Sequence, residues 1–588
     1  MVNLDGPFVL LDDARTRGAS PARLYRNPLE IVRADAVDEV VGALDRLAVA
    51  QARGFHAAGF ISYEAGNALE GRLCSPRASE GAQDRISPLL WFGLFDAYRE
   101  IAPVDVLAHL PAPNTAWIGA PVPRLTASDY ATAIGIVQAY LAAGDIYQAN
   151  LTFACDAPFE GHPLALYAGL RTRAEAGYGG VVYTGTEWLL SLSPELFFTL
   201  DNRTLTTKPM KGTSRRAGDD VSEIAALVDD PKQRAENLMI VDLLRNDLSR
   251  VATPGSVMVP ALFDVESYPT VHQMTSTITA QLRAGLAATD VLRAIFPCGS
   301  ITGAPKIRAM EIISEVERAP RGAYTGSIGR IDANGDAAFN VAIRTLHIRD
   351  SAQSATIGLG SGIVADSGAE AEWQECADKG AFVASPVRFD LIETMRFDPD
   401  GGITLLDGHM ARLSASAKLF GFVFNRHEVR NALQAATIRH VGVRKLRLRL
   451  SRSGGLAIEI GALPTTPDGV VEVAIAPLPV SPADFRLRHK TTDRAFYDAA
   501  RRASGAFEVL FTDPHGFLTE GSFTNIFIPR DGVLLTPKAE RGLLPGVFRA
   551  ALLATGDAVE ADLTLDDLGA GFFVGNALRG LISARMRH

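Results

Sequence analysis

TKPMKGTSRR, residues 207–216, is the stretch on which the reading of this chain turns. It is short, basic and broken by a glycine, and it sets Lys211 between a Pro-Met pair and Gly-Thr. The pattern reads as a turn that holds an amine rigidly beside backbone N–H donors. A lysine in such a run is most often a solvated surface group, so its meaning depends on the rest of the chain.

At 588 residues the chain is too long for one core, and two or more domains are expected. Hydrophobic residues make up 47% and charged residues 21%, the profile of a soluble globular enzyme. The net charge of -9 argues against nonspecific nucleic-acid binding and fits a protein that takes small anions in a locally basic pocket. Cys74, Cys155, Cys298 and Cys376 are scattered, with neither zinc spacing nor a disulfide framework. The N-terminus, MVNLDGPFVLLDDAR, has no basic segment followed by an apolar one, and no apolar run approaches membrane-spanning length. A cytoplasmic location is expected.

Strands are expected at VLLDD near the start, PLLWFGLF (88–95), WLLSLSPELFFTL (188–200) and AAFNVAIRTLHI (337–348). Helical periodicity predicts helices over 129–144, 223–252, 304–319 and 369–385. The seam falls near Ala384 to Arg388, where Pro386 ends a helix and FDLIETMRF opens a strand. The expected organisation is a first domain over 1–384 and a second over 386–588, both mixed α and β. In the second, strands are expected at 445–451, 470–478, 508–513 and 524–529.

Glu372, Glu375 and Lys379 stand at i, i+3 and i+7 on the last helix of the first domain, and so share a face. Glu236 interrupts the largely apolar stretch ENLMIVDLLRND. Two helices offering carboxylates toward one point suit a hard divalent cation such as Mg2+. A Glu375–Lys379 ion pair on a solvated face explains the same spacing.

DIYQANLTF (145–153), SPELFF (193–198), KPMKGTSRR, AENLMIVDLLRNDLSRV (235–251), ESYPTVHQMTSTI (266–278), FPCGSITGAPKIRAMEII (296–313), YTGSIG (324–329), AIRT (342–345) and GLGSGIVADS (358–367) follow in order. Over roughly residues 1–384 this series resembles the chorismate-utilising family, which includes anthranilate synthase component I, isochorismate synthase and aminodeoxychorismate synthase component I. The resemblance implies packed antiparallel sheets in an α+β domain with chorismate as substrate. It implies that Glu236 and Glu375, with Glu372 close by, hold Mg2+. It also implies that Arg344 and Tyr324 contact the enolpyruvyl carboxylate, that Gly360 offers backbone donors, and that His272 lies near the reacting ring. Thr302 and Lys379 complete the implied pocket. Members that make aminodeoxychorismate have lysine at the position of Lys211, where anthranilate-forming members usually have alanine. Lys211 is therefore expected to attack ring C2. The stretch VLLDDAR (9–15) lacks the serine of the tryptophan-binding motif of anthranilate synthases, which weakens any expectation of tryptophan inhibition. Neither Cys155 nor Cys298 has the setting of a glutaminase nucleophile, so a separate glutamine amidotransferase subunit or free ammonium is expected to supply ammonia.

In the second domain Lys490 lies in LRHKTTDR after a strand-like stretch, Glu520 and Asn525 lie in FLTEGSFTNIFI, and Gly546 and Val547 open a helix. An amine, a carboxylate and a helix N-terminus are what pyridoxal 5'-phosphate requires. With DGHMARLSASAKLFGF (407–422) and FFVGNALRG (572–580), residues 386–588 resemble the class IV aminotransferase family, which includes D-amino acid aminotransferase and aminodeoxychorismate lyase. The resemblance implies two α/β subdomains, Lys490 as the Schiff-base lysine, Glu520 as partner of the pyridine nitrogen and Arg412 as a phosphate ligand. Asn525, Gly546, Val547 and Asn576 are implied cofactor contacts, and Thr394 a pocket residue. Phe548 stands where relatives often have threonine, which puts a side-chain phosphate contact there in doubt. Class IV enzymes are dimers, so a homodimer is expected. Together the two resemblances imply a route from chorismate through 4-amino-4-deoxychorismate to 4-aminobenzoate. The rival is an anthranilate synthase component I joined to an aminotransferase.

Overall fold

The computed structural model describes residues 6–73, 87–268, 271–350, 352–465, 469–569 and 571–587. Cys74 lies outside the described residues; Cys155, Cys298 and Cys376 are free and buried. Two compact units are present. One takes Met1–Pro113, Ala120–Phe159 and Pro163–Ala384, the other Ser385–His588 together with Asn114–Gly119 and Glu160–His162.

The first unit is built on two large sheets whose mapped ladders are all antiparallel. The first runs, in order, Gln148–Glu160, Ser354–Ile363, Thr345–Arg349, Glu187–Ser191, Gly179–Tyr183, Phe8–Asp12 and Ala22–Arg26. The second runs Met210–Arg215, Val271–Gln281, Thr204–Lys208, Leu196–Asp201, Ala337–Asn340, Ser327–Ile331, His56–Ile61, Leu90–Phe95 and Glu30–Ala34. Val9, Val182 and Leu189 of one sheet share a core with Phe60, Trp91 and Ile328 of the other, so the sheets pack face to face. Ile240, Val241, Leu244, Leu292 and Ile313 bring helices onto the second sheet.

Several sequence expectations for the first unit need correction. The Lys211 stretch is not a turn but the strand Met210–Arg215, bulged between its pairings Met210↔Thr275 and Thr213↔Gln273, with Gly212 at φ +103. The helix expected over 223–252 is two, Asp220–Asp229 and Pro231–Ser249, because Pro231 cannot continue the first and Asp230 caps the second. The continuous strands expected over 188–200 and 337–348 each divide in two. Each half joins a different sheet: Glu187–Ser191 and Leu196–Asp201 in the first case, Ala337–Asn340 and Thr345–Arg349 in the second. The helix expected to reach Ser385 ends at Gly380.

The second unit holds a four-stranded antiparallel sheet in the order Gly402–Ile403, Leu391–Asp398, Arg444–Leu450, Leu456–Ala462. One face packs under Leu406–Phe420 and Arg426–Thr437 through Leu391, Met395, Met410, Leu413, Leu433 and Leu448. An eight-stranded sheet follows, with parallel pairing of Val471–Pro477 to Glu508–Thr512 and to Gly580–Met586. Lys490 follows not a strand but the short helix Phe485–Arg488.

Candidate active sites

In the first unit the bulge aims Lys211 at the helix Pro231–Ser249, with its Nζ 3.3 Å from Glu236 Oε2. The backbone there is clamped. Asn237 Nδ2 donates to the Lys211 carbonyl at 3.0 Å, and Gln273 Nε2 donates to that of Gly212 at 2.8 Å. A Cβ at Gly362 would lie 3.1 Å from both Lys211 Nζ and Gln148 Nε2, so glycine there keeps the space beside the amine open. Gln148 is buried, and its Oε1 has no hydrogen-bond partner among the described residues.

The two sheet crossings run side by side. Leu192 N donates to the Arg344 carbonyl at 3.1 Å, Val341 N to that of Glu195 at 3.1 Å, and Ser193 Oγ to that of Val341 at 2.6 Å. Each crossing carries a charged side chain inward. Glu195 is 5% exposed and accepts from Ser300 Oγ at 2.6 Å. Burial pushes its carboxyl up to about 7, against the pull of Ser300, Lys211 and Lys379. Arg344 adopts φ +50, a left-handed conformation uncommon for arginine. Burial lowers its pKa, and its guanidinium lies 5.6 Å from the Phe382 ring centroid. None of the ion pairs among the described residues includes it. A guanidinium in such a setting can take a carboxylate bidentately.

The helix Ala369–Gly380 contributes Lys379, which pairs with Glu375 at 2.6 Å and donates to the Gly360 carbonyl at 3.1 Å. Burial would raise the Glu375 carboxyl, but Lys379 and Lys211 hold it below its ordinary range. Glu372 accepts from Ser367 Oγ at 2.7 Å. The oxygens of Glu236, Glu372 and Glu375 are the hard donors Mg2+ takes, and the charge of Lys211 reaches both Glu236 and Glu375. The donor chemistry suits the ion, but the three carboxylates are not among the described groups whose ligand atoms lie within 4.8 Å of one another: Glu236 pairs with Lys211 and Glu375 with Lys379.

Other expected residues are placed differently. Both ring nitrogens of His272 are engaged, Nδ1 with Ser267 Oγ at 2.8 Å and Nε2 with Glu223 Oε2 at 3.2 Å. Asp220, Glu223 and His272 form a cluster whose ligand atoms lie within 4.8 Å of one another. Thr302 Oγ1 donates to the Cys298 carbonyl at 2.8 Å. Tyr324 packs on Gly358 and lines a cavity of about 270 Å³ with Thr152, Arg321 and His347. In the stretch VLLDDAR, buried Asp12 accepts from Arg171 and Tyr167 at 2.6 and 2.8 Å. Glu195 and Gln148, which the fold brings near Lys211, are visible in the sequence only as polar residues within SPELFF and DIYQANLTF.

In the second unit Lys490 sits at the edge of the four-stranded sheet: its carbonyl accepts from Ile392 N at 2.9 Å, and Thr491 bridges to Leu391. Loss of water pushes its amine well below the ordinary lysine range; Arg494 and Arg412 push the same way, against Glu393 and Glu520. Glu520 is buried, accepts from the Tyr497 hydroxyl and is raised to about 7 by burial. Arg412 is held by Glu393, through Nε at 2.9 Å and Nη2 at 2.6 Å. Burial opposes ionisation of Glu393, but Arg412 and His409 bring its pKa to about 2. Gly546 caps the helix Val547–Thr555, and a Cβ there would lie 1.9 Å from Asn525 Oδ1. Val547 is buried. Asn576 Oδ1 accepts from the N–H groups of Leu578 and Arg579. Thr394 stands opposite Arg447 in the sheet. A depressed lysine, a raised carboxyl, a helix N-terminus without a side-chain cap and a fixed arginine are the kinds of group that pyridoxal phosphate needs.

Residues 6–385 match the family model described as chorismate binding enzyme, and the chain belongs to that family. Residues 390–586 match amino-transferase class IV, so the two architectures are fused in one chain. The chain is 46% identical over 272 residues to aminodeoxychorismate synthase component 1 of Salmonella typhimurium, covering 45% of this chain and 58% of that protein. It is 41% identical over 267 residues to anthranilate synthase component 1 1 of Haloarcula marismortui, covering 45% and 54%. The match thus spans little more than half the length of these relatives. Among solved structures, anthranilate synthase component I from Streptococcus pneumoniae superposes with a TM-score of 0.52 at 26% identity, covering 63% of this chain and 93% of that one. Among the described residues no helix is long and apolar enough to cross a membrane.

Proposed function

We propose that the chain makes 4-aminobenzoate from chorismate in two steps, one in each unit. Arg344 and the backbone near Gly360 receive a carboxylate of chorismate. Bound Mg2+, held by Glu236 and Glu375 with Glu372 nearby, supplies charge neutralisation at the ring carboxylate. Lys211 Nζ, as the neutral amine after its ammonium has lost a proton, adds to C2 as the C4 hydroxyl departs, and Glu195, protonated near neutrality, gives that hydroxyl its proton so that it leaves as water. Ammonia then adds at C4, the bond from C2 to Lys211 breaks, and 4-amino-4-deoxychorismate results. The curated relative named as a component 1 supports a separate component that delivers the ammonia.

In the second unit Glu520 would partner the ring nitrogen of pyridoxal phosphate, and Arg412 with the Gly546–Val547 helix start would hold its phosphate. Pyridoxal phosphate, when bound, supplies an electron sink. Lys490 takes the proton from C4 of the ring, the enolpyruvyl group leaves, and the same amine returns a proton to its methylene carbon, giving pyruvate and an aromatic ring. The observation that carries the reading is Lys211 itself, clamped on a bulged strand 3.3 Å from Glu236. The test is product analysis with chorismate, ammonium, Mg2+ and pyridoxal phosphate. 4-Aminobenzoate and pyruvate are expected; anthranilate as the main product overturns the reading.

A further inference from the structure

The four-stranded sheet of the second unit has two unlike faces. Leu391, Glu393, Met395 and Phe397 alternate onto the face that packs under the helices. Ile392, Thr394 and Arg396 take the other, opposite Arg449, Arg447 and Lys445, with Ala457, Glu459 and Gly461 next in the ladder. This face carries four cations and one carboxylate. Arg449 is satisfied by Asp390 at 2.5 Å, and Arg396 lies 3.9 Å from Asp398. Among the described residues Arg447 belongs to none of the ion pairs, and its buried Nε has no acceptor. Lys490 is close along the same sheet, because its carbonyl accepts from Ile392, two residues from Thr394. The strand spacing then places the Arg447 backbone on the order of 10 Å from that of Lys490. An arginine side chain and a six-membered ring together span that gap.

We propose that Arg447, with Thr394 opposite it, forms a carboxylate subsite of the second unit and selects a substrate that carries a carboxylate remote from the amine. The proposal rests on the lyase reading and deepens it, since 4-amino-4-deoxychorismate has two carboxylates. The planar guanidinium takes a carboxylate bidentately, and the threonine hydroxyl donates beside it. The neighbouring Lys445 adds field without fixing geometry.

The test uses the full chain carrying pyridoxal phosphate, with Arg447→Gln and Arg447→Lys. For pyruvate release from 4-amino-4-deoxychorismate, Arg447→Gln should raise KM about 10- to 100-fold with kcat within a few-fold, and Arg447→Lys should recover part of the loss. The visible band of the bound cofactor should be the same in all three proteins. An unchanged KM overturns the proposal, as does a fall in kcat together with loss of the visible band. A second readout stands apart from the lyase reaction: perturbation of that band by benzene-1,3-dicarboxylate compared with benzoate. Preference for the dicarboxylate, abolished in Arg447→Gln, supports the subsite even if the wild type releases no pyruvate. Equal response to both acids overturns it.

Discussion

Each unit centres on one lysine and one buried carboxyl raised to about 7, yet the two lysines keep opposite company. Lys211 lies on a strand and faces carboxylates, Glu236 at 3.3 Å with Glu195 and Glu375 in range of its charge. Lys490 lies between a short helix and a sheet edge and faces arginines, Arg494 and Arg412, which help push its amine well down. The carboxyls differ too: Glu195 is held by a serine and Glu520 by a tyrosine. The same two residue types therefore serve different chemistry. A lysine beside acids suits a pocket that gathers a metal and an anion, whereas one beside arginines suits a cofactor that carries a phosphate.

The largest effects come from removing each lysine. Lys211→Ala should lower amination of chorismate by about a thousandfold or more while pyruvate release from supplied 4-amino-4-deoxychorismate is untouched. Lys490→Ala should do the reverse, abolish the visible band and let the intermediate accumulate. Chromatography of both reaction mixtures checks this, and loss of both steps in either variant would break the comparison.

Glu195→Gln should lower kcat of the first step by about 10² to 10⁴. It should also change stability in a pH-dependent way. The folded carboxyl titrates near 7 and the unfolded one near 4.5. The native state then holds a proton that the unfolded state has released, so wild-type stability falls as pH rises between those values. The glutamine variant escapes this loss. Relative to wild type it should gain up to about 3 kcal/mol at pH 8 and nothing at pH 4, read by denaturant titration at each pH.

Asp247→Ala tests the scaffold of the first site. Lys306 Nζ is buried, 2.8 Å from Asp247 and 2.8 Å from the Ile295 carbonyl, which ties the Glu236 helix to the loop that carries Ser300. Leaving that ammonium unpaired should cost about 3–5 kcal/mol, seen as a lower unfolding midpoint. The smallest effect is expected from Gly362→Ala, whose Cβ would first meet the side chains of Lys211 and Gln148, at 3.1 Å. A loss of less than about 10-fold in the first step, with the second unchanged, is the expected result.

The sequence by itself determined the two architectures, both lysines, the carboxylates on two helices and the helix start at Gly546. These lie in contiguous motifs whose local spacing survives folding: Glu372, Glu375 and Lys379 share a face in any helix. Tertiary structure decided the rest. The runs 188–200 and 337–348 look like single strands because apolar alternation carries no mark of where a chain leaves one sheet for another. It is at those two crossings, hydrogen-bonded to each other, that Glu195 and Arg344 turn inward. Likewise Lys211 gains its aim from a bulge set by pairing with residues about sixty positions away. His272, which the family resemblance puts near the reacting ring, has both nitrogens engaged by Ser267 and Glu223, and its local motif does not show that pairing. Such long-range pairings fix direction, burial and neighbours, and no local pattern encodes them.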